Sequence, residues 1–223
     1  MTASPRIWRA WPNVVWAQVY DRPELNRALV PLAHRIATDA ARDGTYFFSR
    51  RKGNCFRDRQ DDALRDLGRL AFAGIRDYLG RVYGVEEPAP RLEIAGWPMV
   101  QPYGHAVPAH HHIGSHLTAV YYCAVPPVRA DAPIPNSGHL ILHDPRAANR
   151  DWEPRGTLAR EFKYFEVAVE TGLLVIFTGY VMHSVQPWFG DAPRVCYAMN
   201  IMVHRAHLEE PGISEADFEA RHG

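Results

Sequence analysis

The sequence predicts a mainly β fold in which an antiparallel sheet, closed or sandwiched, is braced by helices. The first ninety residues contain two amphipathic helical stripes, whereas from Arg91 onward short β-rich runs alternate with Pro, Gly and Asn. The chain has 223 residues, of which 47% are hydrophobic, so a single domain can bury a substantial core. These observations favour one domain with a helical N-terminal part.

Two helices are predicted in the N-terminal part. Leucines, an isoleucine and an alanine recur at spacings of three or four over residues 22–42. A second stripe begins after Asp61 or Asp62, either of which can cap a helix, and ends at Gly84. The residues between the stripes, 44–58, are polar and aromatic and are predicted to form a loop or an irregular hairpin. A short extended piece over residues 14–20 precedes the first helix.

The remainder of the chain is predicted to form strands. The predicted strands lie near residues 91–101, 116–125, 138–143, 163–169, 172–178, 183–187 and 194–203. Turn signals rich in Pro, Gly and Asn separate them. A long charged loop is expected over residues 144–161. It either borders an active site or is only exposed to solvent.

Composition excludes several classes of partner. The 25 basic residues balance the 25 acidic ones, so no net charge attracts the protein to nucleic acid or to an anionic membrane. No run of apolar residues is long enough to span a membrane, and the N-terminus lacks the apolar core of a signal peptide. Three widely spaced cysteines argue against a disulfide framework and fit a reducing cytoplasm. We therefore expect a cytoplasmic protein; the composition leaves the oligomeric state open, a homodimer included.

A metal site is predicted from the histidines. Seven of the twelve lie between residues 105 and 143. If the segment around His110 and His112 is extended, both side chains project from the same side, about 7 Å apart along the backbone. Two imidazoles so placed can converge on one metal ion, and His183 is the best candidate for a third ligand. Arg194 opens an apolar strand eleven residues later, where a guanidinium can hold a carboxylate beside the metal.

Each of these residues has a simpler interpretation. His183 can be a partly buried histidine whose ring bonds the backbone, and Arg194 can form a salt bridge at the rim of a hairpin. A lone His-x-His pattern is weak evidence. The metal interpretation rests on the combination of that pair, a strongly predicted strand directly after it, an isolated distal histidine and a late arginine.

At this point the sequence resembles a bacterial and phage branch of the 2-oxoglutarate- and Fe(II)-dependent oxygenases, over roughly residues 92–203. The matching pieces are Pro108-Ala109-His110-His111-His112, Val120-Tyr121-Tyr122, Ser137-Gly138-His139-Leu140, Asp144-Pro145-Arg146, Gly172-Leu173-Leu174-Val175-Ile176-Phe177, His183-Ser184-Val185-Gln186-Pro187 and Arg194. Their order and spacing together carry the resemblance.

The resemblance implies a fold and its boundaries. The core is expected to be a double-stranded β-helix, a cupin-like jelly roll, over residues 91–205. Residues 1–90 then serve as helical support, and residues 206–223 form a C-terminal tail of the same single domain, 1–223.

The resemblance also implies cofactors and site residues. Fe(II), 2-oxoglutarate and O2 are the expected cofactors, with His110, His112 and His183 as metal ligands and catalytic residues. The wider superfamily usually places an acid where His112 stands, so two alternatives remain: only one histidine of the first pair binds, or Asp144 supplies a carboxylate. The residues expected around the co-substrate are Arg194, Cys196, Tyr121 and Asn200. Cys196 stands where the branch usually has a serine that shares the co-substrate carboxylate. Tyr122, His139 and Arg146 are further pocket candidates, although at most one of the two neighbouring tyrosines can face inward.

The implied activity is that of a 2-oxoglutarate-dependent dioxygenase. It would oxidise, most often hydroxylate, an unactivated C–H bond of a small-molecule, amino-acid or peptidyl substrate. Two alternatives remain: a cupin-like three-histidine dioxygenase that does not use 2-oxoglutarate, and a metal-binding barrel without turnover.

Overall fold

The computed structural model describes residues 13–42, 53–84, 91–144, 164–204 and 213–222. Two long helices, α1 (Pro23–Arg42) and α3 (Asp62–Tyr83), lie where the sequence predicts them. Helix α3 ends at Gly84, which adopts a left-handed conformation with φ of 61° and donates its backbone N–H to Gly80. A short helix, α2 (Cys55–Asp58), lies in the segment predicted as a loop or hairpin.

Six strands form the larger sheet, and all of its pairs are antiparallel. In spatial order they are β1 (Trp16–Val19), β7 (Leu173–Thr178), β4 (Leu117–Ala124), β9 (Arg194–His204), β2 (Arg91–Gln101) and β10 (Ile213–Ser214). The N-terminal part therefore contributes a strand as well as helices, because β1 pairs with β7 at one edge.

The smaller sheet has four antiparallel strands. They are β3 (Val107–His110), β8 (His183–Val185), β5 (Leu140–His143) and β6 (Tyr164–Val167), in that spatial order. Two facing antiparallel sheets braced by helices are the jelly-roll architecture expected, and the mainly β fold class is confirmed. Each predicted strand from 91–101 to 194–203 has a counterpart whose ends differ by at most two residues.

Two hydrophobic cores lie on opposite faces of the larger sheet. On one face, helices α1 and α3 pack against alternate residues of the central strands, among them Leu117, Ala119 and Tyr121. The intervening residues, such as Val120 and Tyr122, pack toward the smaller sheet. This alternation follows from the period of two residues in a β-strand. The second face, between the sheets, is the one that holds the site.

The C-terminal segment differs from the expected tail. Residues 213–222 form β10 and helix α4 (Glu215–His222). The ring of Phe218 lies 5.8 Å from that of Phe72 on α3, and the side chain of Phe218 is fully buried. Burial of a phenylalanine explains why this segment docks on the domain. No helix among the described residues is long and apolar enough to cross a membrane.

Candidate metal centre and co-substrate pocket

The structure brings His110, His112 and His183 together between the two sheets. Their ligand atoms all lie within 4.8 Å of one another. The ring centroids of His110 and His183 are 4.3 Å apart, and His112 stacks on His183 at 5.1 Å. His110 and His183 are direct partners in the pairing of β3 with β8, which is why a residue 73 positions away joins the group. Such a cluster of ring nitrogens can hold one metal ion.

Backbone carbonyls orient two of the three rings. The Nδ1 atom of His110 lies 2.8 Å from the carbonyl oxygen of Pro108, and Nδ1 of His183 lies 2.9 Å from that of Val181. A carbonyl only accepts hydrogen bonds, so each Nδ1 carries the proton and donates it. The other nitrogen, Nε2, therefore carries no proton and is the atom that can bind a metal.

Burial keeps His183 uncharged. Its pKa is lowered to about 3, chiefly by desolvation and also by the neighbouring His110 and His112, against a hydrogen bond to Val181 that raises it. The ring of Phe177 packs edge-on against it at 4.9 Å between centroids. A neutral imidazole is the form that binds metals, so this environment suits a ligand.

His112 reaches the group in a different way from the one expected. Strand β3 ends at His110, so the two histidines are not on one continuous strand. His112 lies in the following turn, where its backbone N–H donates to the carbonyl of Gly179 over 2.9 Å. A side chain at Gly179 would collide with the carbonyl of Ser115, so glycine is required for this close approach of the two loops. The ring of Trp97 lies 6.0 Å from that of His112 on the other side.

Arg194 lies in the same cavity as the three histidines, at the start of β9. Its side chain is buried to 99%. The guanidinium donates to the side-chain carbonyl of Gln101, at 2.8 Å from Nε, and to the backbone carbonyl of Gly138. No carboxylate among the described residues forms an ion pair with it. A buried cation without an anionic partner is costly, so this group is suited to receive an anion.

Tyr122 and Tyr121 point to opposite sides of β4. The ring of Tyr122 lines the cavity and lies 5.2 Å below the guanidinium carbon of Arg194. Tyr121 does not reach the cavity, contrary to the expectation for it, because its ring belongs to the helix-side core and its hydroxyl donates to Asn26 over 2.7 Å. Successive residues of a strand face opposite sides, and here Tyr122 is the inward one.

The other expected co-substrate residues divide in a similar way. Cys196 is buried and lines the cavity two residues after Arg194, and burial raises the pKa of its thiol. Asn200 lies on the same face of β9 but further along, beyond the residues that line the cavity. Its side-chain oxygen is buried and has no hydrogen-bond partner among the described residues.

Several other candidates lie elsewhere. His139 and His143 point away from the cavity, toward the outer side of the smaller sheet. There His139 forms a hydrogen bond with Glu166, and His143 forms one with Ser184. Asp144 is not a member of the histidine group. Arg146 and most of the 144–161 loop lie outside the described residues.

Three residues that contribute to the site were not predicted from the sequence: Gln101, Trp97 and Gly138. A signal was present for the first two: Trp97, Met99 and Gln101 alternate along β2 and share its inward face. Gly138 contributes a backbone carbonyl, and no side-chain pattern reveals such a role.

Known proteins share this fold. The sequence model of the family described as "Putative 2OG-Fe(II) oxygenase" matches residues 95–200. A Pseudomonas putida prolyl-4-hydroxylase is 17% identical with a TM-score of 0.50, covering 86% of this chain and 88% of its own. The carbocyclase SnoK of nogalamycin biosynthesis is 14% identical with a TM-score of 0.54, covering 94% and 85%.

AviO1 of Streptomyces viridochromogenes Tue57 has the same identity and TM-score, covering 89% of this chain and 93% of its own. A search of curated proteins gave no significant match. At these identities the structural likeness establishes the fold alone. The stretch that matches the 2OG-Fe(II) oxygenase family model, residues 95–200, carries all three histidines and Arg194.

Proposed function

We propose that this protein is an Fe(II)- and 2-oxoglutarate-dependent oxygenase that hydroxylates a C–H bond of a small-molecule, amino-acid or peptidyl substrate. One observation carries the proposal: a three-imidazole group and a buried guanidinium without a carboxylate partner share a single cavity. The imidazole group binds a metal and the guanidinium binds a carboxylate. 2-Oxoglutarate needs both, because its keto-acid end binds the metal and its distal carboxylate needs a cation.

The residues fit the metal. His110, His112 and His183 supply three nitrogen ligands, and the hydrogen bonds to Pro108 and Val181 set the tautomer of two of them. These three residues would hold the ion and would leave it open to the keto acid and to dioxygen. Asp144 is not needed for this ligand set.

The residues also fit the co-substrate. Arg194 neutralises the distal carboxylate of 2-oxoglutarate, while Gln101 and Gly138 fix the plane of its guanidinium. The hydroxyl of Tyr122, on the same side of β4 as the guanidinium, donates to that carboxylate. Cys196 packs beside it as a small apolar group, because a thiol is a weak hydrogen-bond donor.

The chemistry then divides between protein and cofactors. When bound, the iron and the keto acid supply the oxidising power that the reaction needs. The protein's residues bind and orient the two molecules, and Val107, Val120 and Leu140 exclude water from the cavity between the sheets.

The test is a titration of the anaerobic Fe(II) protein with 2-oxoglutarate, followed by the visible absorption band of a keto acid bound to iron. The wild-type protein is expected to develop the band. Arg194→Met is expected to lower the affinity for 2-oxoglutarate by about 30-fold or more, because losing one partner of a buried charge pair costs about 2–5 kcal/mol. Arg129→Met, which removes an exposed ion pair with Asp131, is the control and should leave the titration unchanged.

A second function is favoured by the absence of a carboxylate from the histidine group of the described residues. Three histidines without an acid are also the ligand set of a cupin-like dioxygenase that uses no 2-oxoglutarate. That protein, or a metal-binding barrel without turnover, would bind iron yet develop no band. Its metal-bound spectrum would not respond to Arg194→Met.

The three cysteines of the chain are free and buried, which agrees with our proposal of a cytoplasmic location.

A further inference from the structure

Three polar atoms near the histidine group lack a hydrogen-bond partner among the described residues. The indole nitrogen of Trp97, the hydroxyl of Thr118 and the side-chain oxygen of Asn200 are buried and form no hydrogen bond within the described part of the chain. Thr118 is fully buried and Asn200 is 8% exposed. Buried polar groups are nearly always hydrogen-bonded, and each unpaired one costs about 1–3 kcal/mol. Three in one place indicate a missing ligand.

The three groups occupy one patch of the inward face of the larger sheet. Thr118 and Asn200 are direct partners in the pairing of β4 with β9. Trp97 is the partner of Ala198, two residues before Asn200 on the same face. Pairs and diagonal neighbours of this kind lie within reach of one another.

This patch adjoins the metal centre. The ring of Trp97 lies 6.0 Å from that of His112. Thr118 is the partner of Phe177, whose ring lies 4.9 Å from that of His183. Trp97 and its partner Ala198 line the cavity, and Thr118 and Asn200 lie next to them on the same face of the sheet.

The patch is separated from Arg194 along the inward face of β9. Asn200 is six residues from Arg194 along β9, a distance of about 20 Å in a strand. The residues between them, Cys196 and Ala198, line the cavity. A co-substrate anchored on Arg194 therefore leaves this patch free for a different molecule.

We propose that Trp97, Thr118 and Asn200 form a subsite that binds an uncharged polar group of the primary substrate, an alcohol or a carboxamide. The inference rests on the proposed function for the identity of the neighbouring metal centre. An indole N–H only donates, a hydroxyl does both, and the amide of Asn200 offers a donor and an acceptor in either orientation. The occupant must therefore accept and donate. None of the three side chains is charged, so a carboxylate or an ammonium group gains no ionic partner here.

The test uses four small probes of equal chain length: 1-butanol, butanamide, butyrate and butylammonium. Binding to the full-length protein is measured by ligand-observed NMR, with Zn(II) and 2-oxoglutarate present. The two neutral probes are expected to bind, and Thr118→Val is expected to weaken them about 10-fold through loss of one hydrogen bond. Asn200→Leu is a second variant with the same expected direction.

Thr178→Val is the matched control. The hydroxyl of Thr178 is also buried without a partner among the described residues, but Thr178 pairs with Leu117, which belongs to the helix-side core. This variant is expected to bind the neutral probes as wild type does. Thr118→Val is also expected to unfold at the same or a higher temperature, because it removes an unpaired buried hydroxyl.

The inference is overturned if the neutral probes do not bind, if butyrate or butylammonium binds as tightly, or if Thr118→Val leaves binding unchanged. It is equally overturned if Thr118→Val lowers the affinity for 2-oxoglutarate, because the hydroxyl would then belong to the co-substrate pocket. Probe binding needs no keto-acid band. A wild-type protein without that band would contradict the proposed function, and the probe result would still decide the subsite.

Discussion

The two faces of the larger sheet are built from alternate residues of the same strands, yet they treat polar groups differently. On the helix side, the hydroxyl of Tyr121 bonds Asn26, and that of Tyr197 bonds the carbonyl of Leu29. On the inward side, Arg194 has no acidic partner, and Thr118 and Asn200 keep unpaired atoms within the described residues. On the helix side only the hydroxyl of Thr178 lacks a partner among these described strand residues, whereas the inward face combines a buried cation with several unpaired polar groups. Along β4 and β9, the odd-numbered residues pack against the helices and stabilise the fold, whereas most of the even-numbered residues face inward, toward the cavity.

The largest expected effect comes from removing a metal ligand on the inward side. His183→Ala is expected to lower the iron bound per protein and the turnover by at least about 100-fold. Loss of a residue that only hydrogen-bonds a metal ligand costs about 10- to 100-fold. Metal analysis after gel filtration and 2-oxoglutarate consumption measure it. The control is His143→Ala, because His143 bonds Ser184 on the outer side of the smaller sheet. Retention of iron by the His183 variant would contradict the ligand assignment.

An intermediate effect is expected at the residue that holds the arginine. Gln101→Leu removes the acceptor of two guanidinium donors, so we expect a loss of about 2 kcal/mol in the free energy of unfolding and weaker 2-oxoglutarate binding. Gln101→Glu separates the two effects. It gives Arg194 a permanent anionic partner, so the folded state keeps its stability. The affinity for 2-oxoglutarate falls, because the guanidinium is already paired with a carboxylate.

Denaturant unfolding and the anaerobic titration measure the two quantities on the same samples. If Gln101→Glu bound 2-oxoglutarate as tightly as wild type, Arg194 would not be the carboxylate anchor.

The smallest effects compare the neighbouring tyrosines directly. Tyr121→Phe leaves the buried side-chain oxygen of Asn26 without its donor, so we expect a loss of about 1–2 kcal/mol in unfolding free energy and unchanged 2-oxoglutarate affinity. Tyr122→Phe is expected to do the opposite: unchanged stability, and an affinity for 2-oxoglutarate about 5-fold lower. Equal effects of the two changes on both quantities would abolish the distinction between the faces.

Much of the fold could be predicted from the sequence because its signals are local. The apolar stripe of α3 and its terminal Gly84 mark that helix, and the β-rich runs mark the strands. Helix α2 escaped prediction because only four residues form it. Its position depends on Asn54, whose side chain caps the helix and donates to the carbonyl of Ile94 on β2, a contact 40 residues distant.

The site was predictable in its residue types and less so in its geometry. The three histidines and Arg194 stand out in sequence because such residues are unusual beside apolar strands. Which of Tyr121 and Tyr122 faces inward depends on the register of β4 against β9, and a one-residue shift would exchange them. His112 depends on a bond between two loops, His112 to Gly179, that no periodicity encodes.

The uncharged ligand set has a thermodynamic consequence. A divalent cation held by three neutral imidazoles retains its full double charge inside the barrel, with a guanidinium in the same cavity. A dianion entering that space relieves the repulsion, so iron and 2-oxoglutarate each raise the affinity of the other by the same factor. Loading is therefore expected to be cooperative, and the protein is expected to bind iron more weakly in buffer that lacks the dicarboxylate.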